Sequence, residues 1–232
     1  MGEEWSLVLF TLLAQTSIGI VISSQLVPIG DNKTAKTALL FAVGIMAASL
    51  AVSLTHLGDP LGAYRTLANI GSSWLSREIL FAGSYFGAAL LLCLTVAKGG
   101  STRSPIGYVA SLCGALTLIS MSFIYTNTSY HAWSTVYTHL SFYGTAAVLG
   151  ALTFAVIAAT TKADAGSTFF GKVLAIGAAG AALQVFSLAP YLTSLAAGSA
   201  PMQATAKALY QSSSLLISGQ ILLAAGAFCF SF

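Results

Sequence analysis

HLGDPLGAYRTLANIGSSWLSRE, residues 56–78, is the longest polar interruption in an otherwise apolar sequence, and its reading decides the fold. It holds Asp59, Arg65, Arg77 and Glu78, from a chain with only nine basic and six acidic residues, and His56, one of three histidines. Apolar runs flank it at residues 37–55 and 79–97. The pattern is that of a connector at a membrane face, with His56 closing one membrane helix and Glu78 opening the next. Asp59-Pro60 makes a good helix start, since Asp caps free N–H groups and proline suits the first helical position. Leu61, Tyr64, Leu67, Ala68 and Ile70 fall near helical spacing, which predicts a short helix lying at the interface. Gly71 ends it, and Ser72, Ser73 or Ser76 can cap the helix that follows.

Composition carries this reading to the whole chain. Of 232 residues, 56% are hydrophobic and 6% charged, and the mean hydropathy is +0.86. A soluble domain carries about 25% charged residues, so this sequence cannot clothe a water-facing surface. It is read as an integral membrane protein. A net charge of +3, dispersed along the chain, excludes nucleic acid as a partner. The acidic start, Met-Gly-Glu-Glu, is unlike a cleaved signal peptide. Cys93, Cys113 and Cys229 share no metal-ligand spacing and read as small apolar filler. A cluster needing about four thiolates finds no home here.

Seven apolar segments are long enough to span, at roughly 5–28, 36–56, 78–98, 105–125, 135–161, 171–196 and 208–230. Each meets the requirement of about 20 apolar residues. None alternates as a barrel strand does, so the expectation is an all-α bundle. It divides into a four-helix bundle over about 5–125 and a second, partial bundle over about 135–232. Lys33, Lys36, Lys98, Arg103, Lys162 and Lys172 lie in or beside the odd-numbered loops, against Arg65, Arg77 and Lys207 in or beside the even ones. That asymmetry puts the odd loops in the cytoplasm and the N-terminus outside. His56, Glu78, His131 and His139 then share the outer face.

Within the spans, Gly83 with Gly87 and Ala146 with Gly150 are small pairs that allow close helix approach, and the small-residue run 175–182 suits a neighbouring helix. Gln15, Gln25, Gln184 and Pro190 interrupt helices one and six. A buried Gln either bonds a neighbouring helix or lines a ligand cavity. The last segment, ILLAAGAFCFSF, stops without a polar tail. Either its helix ends at the interface or further residues follow.

At residues 56–79 the chain resembles the membrane anchor subunit of dimethyl sulfoxide reductase, within the wider polysulfide-reductase-like quinol-oxidising anchors. The resemblance rests on His56-Leu57-Gly58-Asp59-Pro60 and Leu75-Ser76-Arg77-Glu78. Weaker echoes run through residues 133–138, Phe142-Tyr143-Gly144 and the stretch from Phe10-Thr11 to Gln15. Such anchors usually have eight spans, one more than this sequence displays. The resemblance implies a menaquinol-oxidising subunit without haem, set in the bacterial cytoplasmic (inner) membrane. It passes electrons to an iron–sulfur subunit, which feeds a molybdopterin catalytic subunit. The clusters and the molybdopterin belong to those partners. His56 carries over as the group near the quinol ring and Glu78 as a polar group beside it.

The residue chemistry is compatible with that role. Quinol oxidation releases two protons, and an imidazole with an ordinary pKa of about 6.5 accepts and returns protons near neutrality. The plain alternative is that His56 and Glu78 complement the helix dipole, an effect of about 0.3–1 kcal/mol each. Arg65 contacts a partner subunit or anionic lipid, or is simply solvated. Gln15 and Arg65 complete the candidate cofactor-side set. His131 lies in a loop and His139 starts helix five, so interfacial polarity accounts for both, and no metal site is expected. A purely structural anchor and a small transporter are the competing readings. The second lacks the midplane charges such proteins carry.

Overall fold

The computed structural model describes residues 2–55, 60–163, 165–212 and 218. Among the described residues, seven α-helices and one 3-10 helix run in the order α1 (Gly2–Leu26), α2 (Asn32–Leu54), the 3-10 helix Pro60–Asn69, α3 (Trp74–Ala97), α4 (Pro105–Thr126), α5 (Val136–Thr160), α6 (Ser167–Ala196) and α7 (Ala200–Gln211). The first six α-helices are long and apolar enough to cross a membrane. At 22 to 30 residues and 1.5 Å per residue they measure roughly 33–45 Å, enough for a hydrocarbon core of about 30 Å with some tilt. No strand occurs among the described residues. The chain is a multi-pass membrane protein. The seventh span, expected at 208–230, falls mostly outside the described residues. Its approach differs from expectation: residues 200–211, read as a loop running into that span, form α7. Ser199 precedes α7 and Pro201 sits in its first turn, a position that needs no N–H donor.

Side chains start most of the spans. Asp31 caps α2, accepting from the amides of Lys33 and Thr34 at 3.2 and 3.1 Å and from the Thr34 hydroxyl. That hydroxyl, with the two amides, holds the Asp31 carboxyl below its ordinary range. Ser73 caps α3 by accepting from the Ser76 amide, and Ser104 caps α4, with Pro105 following, by accepting from the Gly107 amide. At the opposite end of α1, Arg103 donates to the carbonyls of Gln25 and Leu26, both at 3.0 Å, satisfying acceptors that a helix C-terminus leaves open. The Thr34 and Thr161 hydroxyls bond one another. These contacts gather Lys33, Arg103 and Lys162 at one end of the bundle.

Helix α1 is the centre of the assembly, packing against α2, α4 and α5. Between helices in lipid the hydrophobic effect is weak, and close packing with interhelical hydrogen bonds replaces it. Both are present. The Tyr85 hydroxyl of α3 lies 2.8 Å from Ser17 Oγ of α1, which donates to the Ala42 carbonyl of α2 at 2.7 Å. Ser49 of α2 donates back to the Phe10 carbonyl of α1 at 2.8 Å. Gly19 of α1 faces Ala146 and Gly150 of α5 so closely that a Cβ at Gly19 would stand 2.8 Å from Gly150 Cα and closer still to the Ala146 carbonyl oxygen. The small pair Ala146–Gly150 therefore serves as expected. Gly177 and Gly180 of α6 pack against Ala151 and Ala147 of α5, as the small-residue run implied.

Gly83 and Gly87 do not serve that way. Nothing lies within 4 Å of a Cβ built at either, and both are on the outer surface of α3. The buried stripe of α3 runs instead through Ala82, Tyr85, Ala89, Leu92 and Cys93. Leu90, Leu91, Leu94, Leu112 and Phe186 point outward, the exposure a lipid-facing surface requires.

Candidate functional site

The connector from α2 to α3 is braced from the α3 side. Arg77 donates through Nε to the Ile70 carbonyl at 2.9 Å and through Nη2 to the Gly71 carbonyl at 2.7 Å. Its guanidinium also lies 4.3 Å from the centre of the Trp74 ring. Trp74 in turn stacks on Phe123 of α4 at 4.2 Å, and Phe123 meets the edge of His139 of α5 at 4.8 Å. A planar, multiply donating cation suits this double hold. The brace fixes where the 3-10 helix ends and therefore how the connector sits over the bundle. Arg65 on that helix is exposed, with its guanidinium 5.7 Å from the Tyr64 ring.

One residue beyond Arg77, the chain turns inward. Glu78, in the second turn of α3, is 6% exposed, and its carboxyl has no hydrogen-bond or ion-pair partner among the described residues. It lines a cavity of about 320 Å³ bounded by Phe10 of α1, Leu50 and Leu54 of α2, Leu75, Ile79 and Ala82 of α3, and Tyr125 of α4. The walls are apolar. Beside Glu78 the polar lining is Thr11, Ser53, Tyr125, Thr128 and Trp133. The hydroxyls of Thr11, Ser53 and Thr128 each donate to a carbonyl of their own segment at 2.8–2.9 Å. A carboxyl held in apolar surroundings within the span of a membrane helix is costly, and such residues mark functional sites. His56 lies outside the described residues; Leu54, two positions before it, is part of the wall.

A second cavity, of about 540 Å³, adjoins the first and shares Thr11, Tyr125 and Trp133 with it. Gln15 lines this second cavity together with residues of α5 and α6. Of the glutamines, one bonds a neighbouring helix. Gln184 donates to the Thr145 hydroxyl across the α5–α6 contact at 3.2 Å, whereas Gln15 is 3% exposed and its Oε1 accepts no hydrogen bond. His139 meets Ser122 through Nδ1 at 2.7 Å, and His131 lies exposed in the loop before α5. No group of three or more His, Cys, Asp or Glu side chains able to hold a metal occurs among the described residues.

Tyr125 and Thr128 escape sequence reading. The sequence marks Tyr125 only as an aromatic ending span four, where aromatic residues ordinarily sit at the membrane interface. The structure turns it inward, against Trp133 at 5.5 Å and Phe142 at 5.2 Å.

The protein is thus a multi-pass helical membrane protein with a cavity that Glu78 lines. The chain belongs to the DMSO reductase anchor subunit (DmsC) family, whose pattern it matches over residues 1–230. It is 30% identical over 162 residues to the C subunit of the anaerobic dimethyl sulfoxide reductase of Haemophilus influenzae, covering 65% of this protein and 56% of that one. It is 31% identical over 140 residues to the anaerobic dimethyl sulfoxide reductase subunit YnfH of Escherichia coli, covering 56% and 49%. The C subunit from the same organism is 27% identical over 147 residues, covering 57% and 51%. The matched region thus spans about half the length of these relatives. No solved structure matches the protein.

Proposed function

We propose that this protein anchors a dimethyl sulfoxide reductase-type complex in the bacterial cytoplasmic membrane and oxidises menaquinol at the Glu78 cavity. The observation that carries the reading is the buried carboxyl of Glu78, without a hydrogen-bond or ion-pair partner among the described residues, in an apolar chamber; His56 follows Leu54 of its wall by two positions in the sequence. At about 320 Å³ the chamber falls within the range of ligand pockets, roughly 300–1,000 Å³, and pairs apolar walls with a few polar groups as such pockets do. In the reaction, a quinol loses two electrons and two protons to become a quinone. His56 takes a proton from one hydroxyl, and Glu78 orients the imidazole or receives a proton in turn. The electrons leave to an iron–sulfur partner and from it to a molybdopterin subunit. Arg65, exposed on the connector, meets that partner or the lipid headgroups. The N-terminus lies outside, so the site opens toward the outer face.

The test is His56→Leu in the assembled complex, with two assays on one preparation. General acid–base groups contribute about 10²–10⁴-fold, so quinol-dependent substrate reduction falls by that order while reduction driven by an artificial donor persists. Glu78→Gln costs less, because an amide still offers a hydrogen bond to the imidazole and loses only the charge. Loss of both activities would assign His56 to docking or folding. Loss of neither would leave the protein a structural anchor.

A further inference from the structure

A third cavity, of about 430 Å³, lies away from Glu78 and shares no lining residue with the other two. It is a groove backed by Gly19 and Ile22 of α1 and walled by Ala115 and Ile119 of α4, Ala147 of α5 and Ile176 of α6. We propose that it binds one anionic phospholipid, with an acyl chain in the groove and the phosphate at Arg103 and Lys172.

The lining comes first. It is apolar apart from Ser23 and Tyr143, and the Tyr143 hydroxyl lies 3.3 Å from that of Ser122. Ile22, Ala115, Ile119, Ala147 and Ile176 are only half-buried, so the groove opens on the outside of the bundle, where lipid tails are the solvent. Small residues at Gly19, Ala115 and Ala147 leave the gap. Left empty it would forfeit dispersion contacts that a hydrocarbon chain restores.

Depth fits one leaflet. Leu26, the last residue of α1, lines the groove at the end of the bundle. Ile176 and Ile119 follow the starts of their helices, Ser167 and Pro105, by 9 and 14 residues, or roughly 14 and 21 Å along the axis. The groove thus runs from the bundle end to about the middle of a hydrocarbon core of about 30 Å.

Charge selects the headgroup. Arg103 donates through Nη2 to the Leu26 carbonyl at 3.0 Å, which fixes an exposed guanidinium at the end of the groove. Lys172 is exposed and stands four residues before Ile176, on the same face of α6 and one turn nearer that end. It has no hydrogen-bond or ion-pair partner among the described residues, and its long stem carries the ammonium toward the headgroup region. Of the acidic residues at this end, Asp31 is committed to the α2 cap and Asp164 lies outside the described residues. A guanidinium and an ammonium at one mouth suit a phosphate. A zwitterionic headgroup would bring a positive charge of its own to the same place. The site is independent of the reading of the Glu78 cavity.

The experiment titrates the purified, delipidated protein, with the subunits that accompany it, using dioleoyl phosphatidylglycerol or dioleoyl phosphatidylcholine, and counts bound lipid by native mass spectrometry. Phosphatidylglycerol is expected to bind about tenfold tighter than phosphatidylcholine. Lys172→Gln weakens phosphatidylglycerol about fivefold and leaves phosphatidylcholine unchanged. Lys36→Gln, exposed on α2, which contributes nothing to the lining, is the matched control and changes neither. Ala115→Leu fills the groove and weakens both lipids. Ile176→Ala strips contacts from the opposite wall and does the same without adding bulk. Equal affinity for the two lipids, or equal effects of Lys172→Gln and Lys36→Gln, overturns the headgroup site. Binding indifferent to both groove variants overturns the groove as its seat, the result expected if residues 213–230 fill it instead.

Discussion

Gly19→Ala tests the packing of the bundle through one added methyl group. In the native contact that Cβ would lie 2.8 Å from Gly150 Cα and 3.0 Å from the Ala146 carbonyl carbon, with the Ala146 oxygen closer still. Ordinary contact begins near 3.4 Å, and the atoms in the way are backbone, which does not swing aside as a rotamer does. Relief requires α1 and α5 to separate by about 1 Å, which loosens contacts along their shared length. Overpacking of this kind costs about 1–3 kcal/mol. Alanine offsets part of it, since it favours a helix over glycine by about 1 kcal/mol. Gly83→Ala and Gly87→Ala provide the matched control, because a Cβ at either meets nothing within 4 Å. They keep the propensity gain and avoid the collision. The assay is denaturation of the purified complex by heat or by titrated detergent. Gly19→Ala is expected to destabilise, and the two α3 variants to be neutral or mildly stabilising. Equal effects at all three positions would refute the reasoning, because the local space would then not decide the outcome.

Ser17→Ala removes the centre of the Tyr85–Ser17–Ala42 relay, leaving a buried hydroxyl and a carbonyl short of a partner, and is expected to cost about 1–3 kcal/mol. Tyr85→Phe removes only an end of it and costs less, and the double variant is non-additive in the same denaturation assay. Arg77→Lys keeps the charge but gives up the forked hold on Ile70 and Gly71 and the broad contact with Trp74. Cleavage of the connector by an added protease should then quicken while the spans stay folded. A reporter fused after Lys162 is expected to be active only in the cytoplasm, and one placed within residues 62–68 only outside.

The spans were legible because apolar length is a one-dimensional property, and the cap of α3 was legible because Ser73 acts on an amide three positions away; the Asp59 cap lies outside the described residues. Facing was not. Gly83–Gly87 and Ala146–Gly150 have the same spacing, yet only the second pair meets a neighbour. Spacing says which residues share a stripe and is silent on what the stripe confronts. The two glutamines show the same limit: Gln184 finds Thr145 across a helix contact while Gln15 Oε1 finds no hydrogen-bond partner. Tyr125 was hidden for a related reason, since an aromatic at a span end serves the lipid interface or an interior chamber with identical local sequence. Helix α7 was missed because its composition is too polar for a span and its start is marked only by Ser199 and Pro201.

The closeness of Gly19 to Gly150 also sets a timetable for biogenesis. Helix α1 leaves the ribosome before α5, and the surface that fills its glycine notch is 131 residues further along the sequence. At about 5–20 residues per second, that partner arrives roughly 7–26 s later. During the interval the notch, and the nearby Gln15 amide, face lipid, the insertion machinery or an already inserted α2. A passing helix with small residues at the right spacing competes for the same groove. Because α2 follows immediately and engages Ser17 through the Ala42 carbonyl, it holds α1 in a fixed orientation while the groove waits. The buried serine thus acts as an early clamp, and the glycines as the late lock.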